Sequence, residues 1–323
     1  MYSMKLISSI IIIISLGLSD GPYEVQLITE QDGLRNGPNY SNGKVYFPAN
    51  SNDNLPIIVM IPGFISYISS IEEWGPYLAS YGFVVMFVNV NSIFQDPYSR
   101  ADAIVDGITT IKLENERSNS PLYGKLNVDS LAVGGWSMGG GGAQIASQLD
   151  ESISAVVALS AWLPSASIAN GNVVPILFLS GQFDATATNS FHTNLHYDNT
   201  PSEIDKLLFE ISGGSHYTVC SPYNDLDMAN KARYWIEQYV NNDSSNCDEL
   251  ISVPNSSSSF STNIECVFFD SGDLNQDQVI NIQDILILLN LILNGTYDEY
   301  GDLDENGILN VLDVIQIINI ILN

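Results

Sequence analysis

Positive charge is what this sequence has least of. Ten Lys and Arg stand against 37 Asp and Glu, a formal net charge of -27 over 323 residues, and no basic residue follows Arg233. Such a surface repels phosphates and excludes nucleic acid as a partner. Long apolar runs are also missing. The N-terminal run Leu6–Leu18, which follows Lys5, falls short of the roughly 20 residues that a spanning helix needs. Its small-x-small ending, Gly17 and Ser19, reads as a secretory signal peptide over residues 1–19, with an uncleaved anchor as the alternative. With the leader removed, no transmembrane span is expected, and the protein is expected to be secreted, extracellular or associated with a cell surface. Cysteine is scarce too. Cys220, Cys247 and Cys266 allow three possible single bridges, and the sequence alone does not choose among them. Cys247 and Cys266 flank a polar Ser-rich loop and are the favoured pair, leaving Cys220 as an inert, buried thiol.

What the sequence does contain is 45% hydrophobic residues, enough for a sizeable core. From residue 20 to 268, short apolar runs alternate with amphipathic stretches. Ile57–Ile61, Val84–Val88, Leu131–Val133, Ala155–Leu159, Ile176–Leu179 and Leu207–Ile211 read as buried strands. Ser69–Tyr81, Ala101–Glu116 and Asp227–Asn241 read as helices. This rhythm predicts an α/β fold with a mostly parallel sheet and helices on both faces. Ser256–Ser259 has the composition of a loop or linker. Residues 269–323 form a separate, small all-α domain built on an internal repeat.

The densest chemical signal is Gly134-Gly135-Trp136-Ser137-Met138-Gly139-Gly140-Gly141-Gly142, directly after a predicted strand. It contains G-x-S-x-G, the sharp strand-turn-helix bend that lifts a serine hydroxyl out of a sheet. A serine nucleophile needs a base, and the base needs an orienting carboxylate. His216 follows a late strand and the turn Gly213-Gly214-Ser215, whereas His192 and His196 read as surface or helix histidines. Asp184 lies just past the strand Ile176–Leu179, with Asp198 and Asp205 as solvated rivals. Ser137, Asp184 and His216 then stand in the chain order of an α/β-hydrolase triad. The backbone N–H groups of Met138 and of Phe64, in Pro62-Gly63-Phe64, are the expected oxyanion donors. No cofactor is needed for that chemistry.

Several stretches carry a resemblance to cutinase-type polyester hydrolases, the group that includes poly(ethylene terephthalate) hydrolases. They are Ile61-Pro62-Gly63-Phe64, Trp74-Gly75-Pro76, Leu78 to Val85, Gly135 to Gly142 and Gly213-Gly214-Ser215-His216, spread between about Pro56 and Asp248. The resemblance implies an open, lidless cleft with an aromatic wall. It implies a substrate-clamping role for Trp162, places Tyr217 where it narrows the cleft, and implies a C-terminal disulfide, Cys247 with Cys266. Two departures stand out. Phe64 replaces a tyrosine found in many relatives, removing a hydroxyl but not the backbone donor. Gly181 stands where some relatives carry a cysteine, so a second bridge to Cys220 is not expected. Both differences bear on crystalline synthetic polyester rather than on ester hydrolysis itself.

The tail repeat has calcium-loop spacing, with ligands at positions 1, 3, 5, 7, 9 and 12. These are Asp273, Asn275, Asp277, Val279 (backbone), Asn281 and Asp284 in one copy, and Asp302, Asp304, Asn306, Ile308 (backbone), Asn310 and Asp313 in the other. Gln278 replaces the turn glycine that the second copy keeps as Gly307, which predicts a weaker first site. The tail resembles a type I dockerin, implying two structural Ca²⁺ ions and docking to a cohesin, scaffold or cell-surface partner. A calcium-stabilised sorting or anchoring tail is the other reading. For the whole chain, the leading expectation is a serine carboxylic-ester hydrolase acting on polyester. The alternatives are a lipase or small-ester esterase acting on lipid ester, or an inactive hydrolase domain whose tail does the binding.

Overall fold

The computed structural model describes residues 21–51, 54–266, 271–304 and 306–322. The expected leader, residues 1–19, lies outside the described residues. The chain divides into two compact units, one ending at Ile264 and the other spanning Glu265–Asn323. No helix among the described residues is long and apolar enough to cross a membrane. Cys247 and Cys266 are both disulfide-bonded and Cys220 is free, so the one bridge available to three cysteines is Cys247–Cys266.

The first unit is built on one nine-stranded sheet. In chain order its strands are β1 (Val25–Thr29), β2 (Tyr40–Pro48), β3 (Leu55–Ile61), β4 (Val84–Val90) and β5 (Leu126–Trp136), then β6 (Ile153–Leu159), β7 (Ile176–Gly181), β8 (Lys206–Ile211) and β9 (Ser257–Thr262). Their spatial order is β1-β2-β4-β3-β5-β6-β7-β8-β9. The six from β4 to β8 run parallel, while β1, β2 and β9 pair antiparallel. Every residue of β3 and β4 is buried, as an apolar run covered on both faces must be. Strand order reverses between β3 and β5, so the loops leaving their carboxyl ends open a crevice there.

The helices are α1 (Trp74–Ser80), α2 (Pro97–Glu116), α3 (Met138–Ala146), α4 (Thr193–Asn199), α5 (Leu226–Val240) and α6 (Cys247–Ile251). Asp96 caps α2 by accepting the Ser99 N–H at 2.8 Å, and Pro97 starts it without losing a bond. α2 packs on α3, and α3 packs on β5 and β6. The glycine run makes that last contact possible. A Cβ on Gly140 would stand 2.8 Å from the carbonyl oxygen of Gly135 on β5, and one on Gly141 would stand 2.1 Å from that of Trp162, just past β6.

The stretch Ser256–Ser259, expected as linker, instead belongs largely to the edge strand β9. Its side chains carry almost no apolar periodicity, because one edge of β9 faces no further strand and its hold on β8 is through the backbone. Phe260 meets Phe209 edge-on at 6.3 Å, and Ser258 Oγ donates to a Glu210 carboxylate oxygen at 2.7 Å. β1 and β2 also escaped the sequence reading: β1 is a half-exposed edge strand, and β2, although paired on both sides, breaks its apolar residues with Ser41, Asn42, Gly43 and Lys44.

In the second unit, α7 (Ile282–Asn294) and α8 (Val311–Leu322) pack on each other around Leu288, Val314 and Ile317.

Gly141→Ala is expected to lower the stability of the first unit by about 1–3 kcal/mol or more, because backbone rather than a flexible side chain occupies the space. Urea unfolding of the variant beside wild type measures this.

Candidate active site

Ser137 sits between β5 and α3 with φ 57° and ψ -122°. A residue with a Cβ avoids that region unless its neighbours hold it there. Three main-chain bonds do so. The Ser137 N–H donates to Leu159 O at 2.9 Å, and its carbonyl accepts from Gly141 at 3.1 Å and Trp162 at 2.9 Å. Gly63 presses in from the β3 loop so closely that a Cβ there would lie 2.9 Å from the serine Cβ. Phe64 follows it. Among the described residues, neither the Phe64 nor the Met138 N–H donates a hydrogen bond, so both remain available to an incoming oxygen.

Asp184 lies three residues beyond the end of β7, and His216 lies on the loop after β8, as read from the sequence. His216 Nδ1 and Asp184 Oδ2 are 2.7 Å apart, with both residues buried. The other carboxylate oxygen accepts the N–H groups of Thr186 at 2.9 Å and Ala187 at 2.8 Å. Burial would raise the Asp184 pKa, but the bond and charge of His216, followed by the Ala187 and Thr186 N–H groups, outweigh it and hold the carboxyl below its ordinary 3.8. With Nδ1 facing a carboxylate, the ring carries its proton there and leaves Nε2 as the acceptor.

Two tryptophans fix the histidine loop. Trp136, beside Ser137, donates its indole N–H to His216 O at 2.9 Å, and the two rings lie 5.0 Å apart. Trp74 donates to Val219 O at 3.0 Å across 145 residues of sequence. The His216 main chain is thereby tied to the residue that precedes Ser137. No Ser137 Oγ–His216 hydrogen bond is formed among the described residues, a looseness common before substrate arrives.

Trp162 is half-buried, and its ring lies 5.7 Å from that of His192. His192 and His196 are therefore not surface histidines. His196 is wholly buried against Gln144 and Phe178, and His192 is half-buried between Trp162 and His196. Burial lowers both pKa values, that of His196 to about 3, so both rings are neutral at ordinary pH. His196 does lie on a helix, α4; its burial and the half-burial of His192 were hidden because their partners come from elsewhere in the chain. Tyr217 is 64% exposed and stacks beside Trp136 at 5.4 Å. The sequence reading missed further aromatics. Phe94 meets Phe64 edge-on at 5.9 Å, while Phe183 and Phe191 are 68% and 70% exposed. Their adjacency to Asp184 and His192 was the available signal. Cys220 is not a competing nucleophile, since burial and then the Asp184 charge push its thiol up to about 12.

In the second unit the two loops repeat one pattern. Asp273 accepts the N–H groups of Asp277 and Gln278 at 3.1 and 2.8 Å, and Asp302 those of Asn306 and Gly307 at 3.1 and 2.7 Å. Asp284 and Asp313, both fully buried, close the loops by accepting from Asn281 and Asn310. Oxygens of Asp302, Asp304 and Asp313 lie within 4.8 Å of one another. Converging carboxylates with no cation in the sequence after Arg233 are chemically suited to a hard divalent ion. Gln278 adopts φ 66° and Gly307 φ 79°, so the first loop makes the same turn with a residue that is strained by it.

A family model described as PET hydrolase-like matches residues 13–266. The chain is 31% identical over 238 residues to Lipase 1 of Moraxella sp., covering 72% of this chain and 71% of that protein. It is 30% identical over 228 residues to Cutinase est2 of Thermobifida alba, covering 69% and 71%. A bis(hydroxyethyl) terephthalate hydrolase of Streptomyces coelicolor is 27% identical over 224 residues, 69% of each chain.

The depressed Asp184 pKa has a signed consequence. Its stabilising contribution is fully present above about pH 3.8 and is lost as pH falls through the lower folded value. Wild type should therefore lose more unfolding free energy than Asp184→Asn as pH drops below 3.8, measured by urea unfolding across a pH series.

Proposed function

Because the chain belongs to the PET hydrolase-like family and is a carboxylic-ester hydrolase, we propose that it cleaves polyesters through Ser137, His216 and Asp184. The observation that carries this reading is the strained serine beside Trp136, whose indole holds a histidine bonded at 2.7 Å to a buried carboxylate. His216 Nε2 takes the hydroxyl proton as Ser137 attacks the ester carbonyl. Asp184 holds the tautomer and stabilises the imidazolium. The N–H groups of Phe64 and Met138 bind the oxyanion, alcohol leaves with the proton from His216, and water then releases the acid. Trp162 and Tyr217 are proposed to line the acyl or aromatic part of the substrate. The exposed rings of Phe64, Phe94, Phe183 and Phe191 favour an apolar polymer. The similarity to Lipase 1 favours a second reading, a lipase or small-ester esterase.

The tail is proposed to bind two structural Ca²⁺ ions through the two loops and to serve as a dockerin-like docking or sorting module of an exported enzyme. Bound calcium would relieve carboxylate repulsion and stiffen the loops. Residues 1–19 are proposed as its cleaved leader.

Ser137→Ala should cut turnover of 4-nitrophenyl butyrate by on the order of 10⁶, read alongside fluorophosphonate labelling of wild type. A variant that keeps its turnover would remove the assignment. Acid release from polyester film, compared with short- and long-chain nitrophenyl esters, separates polyesterase from lipase. Chelator should reduce the helical circular dichroism of the full chain and calcium restore it; indifference to both would end the calcium reading.

A further inference from the structure

Arg100 is the fourth residue of α2 and has no exposed surface. A buried cation is costly unless its donors are satisfied, and carboxylates are its usual partners. Among the described residues, none is bonded to it. Its guanidinium donates instead to three main-chain carbonyls, Nη1 to Pro62 at 2.8 Å, Nη2 to Ile93 at 3.3 Å and Nε to Gln95 at 3.2 Å. Pro62 belongs to the loop after β3, which carries Phe64. Ile93 and Gln95 belong to the loop after β4, which carries Phe94. One planar fork thus ties together the two loops beside the serine.

The same Ile93 carbonyl accepts a second bond, from the Ile65 N–H at 2.9 Å. The Gly63–Phe64 segment is therefore bracketed: Pro62 before it is held by Arg100, and Ile65 after it by the carbonyl that Arg100 also holds. Ile65 adopts φ 51°. A β-branched residue persists there only where its surroundings over-determine it. Burial lowers the arginine pKa to about 10, which leaves it charged at neutral pH.

We propose that Arg100 is a positioning residue for the oxyanion hole, holding the Pro62–Ile65 loop so that the Phe64 N–H is aimed at the oxygen beside Ser137 before substrate binds. This rests on the ester-hydrolase reading above. A donor aimed in advance acts on the charged oxygen of the transition state and little on the neutral ester, so kcat should carry the effect and KM should not.

The test uses the full chain with Arg100→Lys and Arg100→Met, 4-nitrophenyl butyrate as substrate, and a trifluoromethyl ketone, which forms an anionic adduct with the serine. Arg100→Lys keeps a cation but cannot reach three carbonyls. It should lower kcat about 10-fold, and Arg100→Met about 10²-fold, the latter being the effect of losing one oxyanion donor. KM should stay within about 3-fold, and the ketone inhibition constant should rise in step with the loss in kcat/KM. Unchanged kcat, or KM and ketone affinity weakening together, would overturn the proposal. Failure of both variants to fold would assign Arg100 to the fold as a whole and overturn it equally. A wild type that fluorophosphonate does not label would sink the hydrolase reading itself. A labelled wild type with unaltered Arg100 variants would sink this inference alone.

Discussion

A serine held in a backbone conformation it would not choose organises the carboxyl edge of this sheet. Ser137 stays at φ 57° because its N–H and carbonyl are tied to Leu159, Gly141 and Trp162, on β6, α3 and the loop after β6. Those bonds bring backbone against backbone at Gly141, and Gly63 leaves room for the serine Cβ, approaches that only glycine permits. The strain at one residue is offset by close packing of three elements.

His216 and Asp184 are likewise held through main-chain groups. Two indole N–H groups, from Trp136 and Trp74, pin the carbonyls of the His216 loop, while Asp184 is fixed by two main-chain donors of its own loop. Asp184 and the His216 loop are thus each held by groups outside the His216–Asp184 pair. Arg100 extends that logic to the β3 loop, where a buried cation satisfies carbonyls rather than an anion. Phe64 and Phe94, edge-on to each other, stand on the two loops that Arg100 joins, and both rings remain exposed.

The tail follows a different economy. Its core is small, centred on Leu288, Val314 and Ile317, and its loops are closed by aspartates that accept backbone N–H groups. Small units with so little buried apolar surface need additional ties. The tail's carboxylates gather with no basic residue nearby in sequence, and among the ties within the loops are the N–H groups they accept.

The sequence by itself determined what is written within a few neighbouring residues. The parallel core strands, the serine turn, the placing of Asp184 and His216 after late strands, and the two aspartate loops all rest on local periodicity or spacing. Tertiary structure decided what depends on partners far along the chain. The edge strand β9 exists because β8 offers it a ladder, not because its serines favour a strand. His192 and His196 are buried because Trp162, Gln144 and Phe178 arrive from elsewhere. Arg100 stands just before the expected helix Ala101–Glu116 and carries no signal of its own until the carbonyls of Pro62, Ile93 and Gln95 close around it. A turn or a period is a property of adjacent residues; burial and hydrogen-bond partnership are properties of whatever the fold brings alongside, and no short stretch of sequence carries that information.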